Sequence, residues 1–131
     1  MHRILLRTVC FDLAPADHDA GLSFWAQALA AQPVRGVNFP EYHQLDHPGA
    51  AVALYVQQIE DGASRLHLDI ESEDVAAEVA RLEGLGASVV SVWRDTPVGD
   101  WTVLRDPAGL LFCVVSATVD AQFEAAAVAV G

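Results

Sequence analysis

A chain of 131 residues fits one domain, can bury a real core, and leaves little room for two domains. Seven basic residues, all arginine, stand against 18 acidic ones, and a formal charge of -11 excludes nucleic acid and anionic membrane surfaces as partners. The hydrophobic fraction is 53%, but the apolar runs are short and none approaches the ~20 residues that a membrane span needs.

The start, Met1 to Arg7, is too short for a signal-peptide core and shows no small-residue cleavage site. Arg3 to Leu13 reads as a strand, and Pro15-Ala16-Asp17 punctuates it. Leu22, Trp25 and Leu29 recur at helical spacing within Asp17 to Ala30, and Pro33 is expected to stop that helix. Val34 to Asn38, Glu41 to Leu45 and Ala51 to Gln57 read as three short strands, the last two joined by a turn at Asp46-His47-Pro48-Gly49. Residues 59–64 are polar and read as a linker.

The order then repeats. Arg65 to Ile70 is a strand, and Val75, Val79, Leu82 and Leu85 form a helix stripe that Glu73 and Asp74 open and Gly86 closes. Ser88 to Trp93, Trp101 to Leu104 and Leu111 to Val115 are three more strands, with a turn at Asp106-Pro107-Ala108-Gly109. Landmarks in the two halves keep a nearly constant offset: 60 positions from Gly49 to Gly109, 59 from Thr8 to His67, and 57 from Trp25 to Leu82. A duplication is the reading this supports, with module one at about 3–58 and module two at about 65–116. The Ala-rich tail, 117–131, is either a short helix or a frayed end.

Two cysteines allow one bridge, but Cys10 and Cys113 both lie in apolar segments, and buried thiols are the better reading. A cytoplasmic location is expected on these grounds. His67 is either a general base or a hydrogen-bonded structural histidine, and Asp69, two residues on, either orients it or is structural. Cys113 with His67 is a weaker candidate for a nucleophilic pair. Arg7, Arg65, Arg94 and Arg105 either clamp an anionic ligand group or make surface ion pairs. Tyr42, Tyr55, Trp93 and Trp101 are candidates to line an apolar pocket, whereas Trp25 is expected in the core. His43 and His47 flank a turn and are expected to face solvent, and Asp46 and Asp106 to cap their turns.

The run from Arg65 to Ile70, the helix from Asp74 to Leu82, Leu85-Gly86-Ala87, and the stretch from Trp101 to Gly109 followed by Phe112 to Val115 resemble the second half of glyoxalase-like domains, and Phe24-Trp25 fits the same pattern. These domains belong to the vicinal oxygen chelate superfamily. The resemblance implies an α+β fold of two βαβββ modules whose curved sheet forms a cup. It also implies four inward side chains, from the first and last strand of each module, usually His and Glu in metal-using members. The matching positions here are Thr8, Gln57, His67 and Cys113.

Divalent cations favour carboxylate and imidazole ligands, and Thr8 and Gln57 are neutral and weak, so no metal or other cofactor is expected. The resemblance and these residues together point to a glyoxalase-like protein that binds a small organic molecule in its central cleft. The expected contacts are Thr8, Tyr55, Gln57, Cys113 and Trp101, with His67 the catalytic candidate. The alternative is a lyase, isomerase or dioxygenase-type enzyme that uses His67 as acid/base or partial metal ligand. A third reading is a partner-binding module with a vestigial cup. Family resemblance favours a homodimer.

Overall fold

The computed structural model describes residues 1–131. Along the chain run β1 (His2–Leu13), α1 (His18–Ala28), β2 (Gln32–Arg35), β3 (Tyr42–Asp46), β4 (Ala53–Gln58), β5 (Arg65–Ser72), α2 (Val75–Gly84), β6 (Ser88–Thr96), β7 (Gly99–Arg105), β8 (Leu111–Ser116), α3 (Ala121–Ala126) and β9 (Val128–Val130). The order strand, helix, three strands occurs twice, which makes the fold α+β. No helix is long and apolar enough to cross a membrane.

Two compact units emerge, residues 8–67 and residues 1–7 with 68–131. They do not follow the module boundaries, because Met1–Arg7 groups with the second half of the chain and Arg65–His67 with the first.

In the unit of residues 8–67 the strand order is β2-β3-β4-β1, with β1 parallel to β4 and the other pairs antiparallel. Leu13, Ala31, Leu45 and Val56 form its buried core, against which Phe11, Leu22, Trp25 and Leu29 pack. Trp25 is thus core, its ring 4.7 Å from Phe11. Helix α1 ends earlier than its apolar spacing suggested, because Ala30 turns into the left-handed region at φ 50°. Pro33 does not stop the helix. It lies inside β2, paired only on one side, where an edge strand tolerates its missing N–H. β2 also stops short of Asn38, because Gly36 makes the tight turn into β3 and a Cβ there would lie 2.5 Å from the Phe39 carbonyl oxygen.

In the other unit the order is β5-β8-β7-β6, again parallel for the first pair and antiparallel after it. Val75, Leu104 and Val114 form the core, with Val79, Leu82 and Phe112 against it. Asp74 caps α2 by accepting from the Ala77 N–H at 2.9 Å, and Gly86 closes the helix at φ +110°. Asp106 holds its turn through one carboxylate oxygen that accepts from the N–H groups of Ala108 (2.9 Å) and Leu110 (2.8 Å).

The tail is folded. Asp120 caps α3, Phe123 is fully buried, and β9 pairs antiparallel with His2–Ile4 of β1. Arg3 fastens the same region: it ion-pairs with Glu73 and Glu124 and lies 5.2 Å from the Phe123 ring centroid. Glu78, fully buried, takes His2 and Arg81 at 2.7 Å each. Burial works to raise its pKa, but the hydrogen bonds from Arg81 and His2 outweigh it and hold the carboxyl below the usual range.

Candidate functional site

Side chains alternate on a strand, so the paired registers sort residues onto two faces. In the unit of residues 8–67 the core residues Leu13, Leu45 and Val56 define the face covered by α1. Thr8, Cys10 and Asp12 of β1 lie on the opposite face, beside Ala53, Tyr55 and Gln57 of β4, and Tyr42 and Gln44 of β3 continue it.

That face carries a connected polar group. The His67 Nδ1 stands 2.6 Å from the Asp12 Oδ2, and the Cys10 thiol donates to the Asp12 Oδ1 at 3.4 Å. Arg65 Nε lies 3.6 Å from the same Asp12 Oδ2. Asp12 is only 3% exposed and Cys10 1%, so the carboxylate keeps company with protein groups rather than bulk water. A carboxylate only accepts, so in a neutral His67 the Nδ1 carries the proton and Nε2 keeps the lone pair. This arrangement of carboxylate, imidazole and lone pair is what a general base needs. Beside it stand edge-to-face aromatic rings, Tyr42 to Tyr55 at 6.3 Å and Phe39 to Tyr42 at 6.1 Å. They supply apolar area next to a few convergent polar groups, the usual make-up of a small-molecule site.

The expected site residues divide between the units. Thr8, Tyr55, Gln57 and His67 belong to residues 8–67, whereas Cys113 and Trp101 belong to the other unit. There Cys113 pairs with Asp69 and Val103, and Trp101 pairs with Val115, all on the face opposite the α2 core. Trp101 stacks on Trp93 at 5.4 Å. Neither cysteine is in a disulfide.

Several expectations change. His43 and His47 do not simply face solvent: both are half-buried with a buried Nδ1, and His43 lies on the α1 face, its ring 5.7 Å from that of His18. Arg7 is committed to ion pairs with Glu71 and Asp120, at 3.0 Å each, and donates to Gln122 at 2.6 Å, which removes it as a ligand clamp. Arg105 donates to the Gly109 carbonyl. Asp12 was not singled out from the sequence, and Cys10 was read there only as a buried thiol. The signal was present, since Cys10 and Asp12 follow Thr8 by two and four positions on a strand whose inward position Thr8 was expected to mark.

The metal that the superfamily resemblance implies fits these residues poorly. Within the unit of residues 8–67 the three matching positions supply a hydroxyl, an amide and one imidazole, and two neutral oxygens give little to a hard divalent cation.

A family model described as "Glyoxalase-like domain" matches residues 8–115. Among solved structures, the chain is similar to methylmalonyl-CoA epimerase from Mycobacterium tuberculosis, with 19% identity, a TM-score of 0.61, and 92% of this chain and 91% of that one covered. A hypothetical protein from Bacillus halodurans C-125 gives 9% identity and a TM-score of 0.64 over 90% and 97% of the two chains. An NAD-dependent benzaldehyde dehydrogenase from Legionella pneumophila gives 14% identity and a TM-score of 0.60 over 85% and 98%. At such identities the likeness concerns the fold alone. A comparison with curated proteins finds no match.

Proposed function

Because the chain belongs to the glyoxalase-like domain family of the vicinal oxygen chelate superfamily, we propose that it binds a small organic molecule in its central cleft without the usual metal. Thr8, Tyr55 and Gln57 would contact that molecule, and His67 would be the titratable group that meets it; Cys113 and Trp101, expected with them from the sequence, stand on the corresponding face of the other unit. The observation that carries this reading is the face shared by Thr8, Tyr55, Gln57 and the Asp12–His67 pair, with Tyr42 and Phe39 as its apolar border. Neutral polar groups beside aromatic rings suit binding and orientation of an uncharged or weakly polar ligand.

A second reading makes the protein a lyase or isomerase in which His67 moves a proton. The short hydrogen bond between Asp12 and His67 favours it, because a buried carboxylate both fixes the ring and stabilises the imidazolium that would form. Two cysteines outside any disulfide agree with a reducing, cytoplasmic setting, and a homodimer completes the proposal.

The test is a titration of uniformly 15N-labelled protein with a set of aromatic and carbonyl fragments. Amide shifts concentrated at Thr8, Cys10, Asp12, Tyr55, Gln57 and His67, and lost in Gln57→Ala, are expected. Shifts confined to other residues, or none at millimolar fragment, would overturn the reading.

A further inference from the structure

Metal-ligating groups in this chain are not limited to the four positions the family resemblance marks. We propose that Cys10, Asp12 and His67 form a binding site for a thiophilic divalent cation of the zinc class, one that shares only His67 with those four positions. The site lies on the strand face of the small-molecule reading and shares His67 with it, but it uses ligands other than the family's usual set and is tested without any organic ligand.

The three side chains each present one ligand atom, a sulfur, a carboxylate oxygen and an imidazole nitrogen, and these atoms lie within 4.8 Å of one another. Zinc holds such ligands at roughly 2.0 Å for nitrogen or oxygen and 2.3 Å for sulfur, so tetrahedral ligand atoms stand roughly 3.3–3.8 Å apart. The 3.4 Å between Cys10 Sγ and Asp12 Oδ1 is already in that range. The 2.6 Å between His67 Nδ1 and Asp12 Oδ2 is a hydrogen bond, which has to open by about 1 Å for an ion to replace its proton. β1 sets the spacing, because Cys10 and Asp12 are two residues apart on one strand face.

The donor chemistry selects the metal. A thiolate with an imidazole favours zinc, cobalt or copper over magnesium and calcium, and thiolate plus carboxylate balance the two positive charges. Near-complete burial of Cys10 and Asp12 strengthens that attraction, and three protein ligands are the number a zinc site with one exchangeable position uses. Arg65, 3.6 Å from Asp12, opposes a cation. Its side chain is 40% exposed and free to swing into solvent. The proton balance is simple: the Cys10 thiol proton leaves to solvent, and the His67 Nδ1 proton is replaced by one on Nε2. One proton is released per ion, so affinity rises about tenfold per pH unit while the thiol is protonated.

Cobalt(II), with zinc as competitor, tests this on the reduced, metal-stripped full chain. One cobalt per chain, a near-ultraviolet thiolate-to-cobalt charge-transfer absorption, and one proton released per ion are expected. Cys113→Ser should keep that absorption, Cys10→Ser should abolish it, and Asp12→Asn and His67→Ala should each weaken binding at least tenfold. The Cys113→Ser result decides the matter even where Cys10→Ser fails to fold. Loss of the absorption in Cys113→Ser, or no stoichiometric cobalt on the wild-type chain, would overturn the proposal.

Discussion

His43 and His67 both stand on strands, yet they meet different surroundings. His67 has a carboxylate at 2.6 Å, while His43 is packed on the α1 face near His18 with its Nδ1 buried. Burial first, and then the charges of His18 and Arg35, push the His43 pKa below 6.5, with Asp19 acting weakly the other way. A histidine whose folded pKa is depressed binds its proton more readily when unfolded. The stability it supports is therefore present above pH 6.5 and lost as pH falls through and below that value. Chemical denaturation at pH 7.5, 6.5 and 5.5 should show this loss, and His43→Leu should flatten it. An unchanged slope in His43→Leu would place the titration elsewhere. Sequence spacing could not reveal this setting, since His43 follows a turn and only the register against Val56 shows that it points to the helix. By contrast Thr8 and His67 stood out as landmarks of a duplicated pattern, and Gln57 through the family resemblance. Asp12 lay within the expected strand, but its role was not legible, because its partners His67 and Arg65 lie more than fifty positions along the chain.

At the scale of elements, the helices and most strands were legible from apolar period and turn residues, with ends displaced by a few residues. The displacements have local causes, Ala30 and Gly36 above all, which periodicity does not register. The tail was legible least. Its alanines give no apolar stripe, and its one buried large side chain is Phe123, behind the α3 cap at Asp120. Phe123→Ala should cost about 3–5 kcal/mol, the range for emptying a buried aromatic site. It should also expose the β9–β1 amides to hydrogen exchange. A loss under about 1 kcal/mol would show that α3 and β9 contribute little, as a frayed end would.

Over the whole molecule, duplication is the feature that carries furthest. α1 and α2 begin 57 positions apart, at His18 and Val75, and β4 and β8 begin 58 apart, at Ala53 and Leu111. Each half therefore offers one strand face turned away from its helix. In residues 8–67 that face carries Asp12 and His67, and in the other unit Asp69 and Cys113. The acidic surface matches a role that does not involve polyanions. The central feature of the candidate site is the Asp12–His67 pair, and the state of one imidazole reports it. Long-range 1H–15N spectroscopy of His67, assigned with a His67→Gln variant, reads that state directly. The neutral ring is predicted to carry its proton on Nδ1, with that preference lost in Asp12→Asn, and an Nε2–H tautomer in the wild-type chain would contradict it.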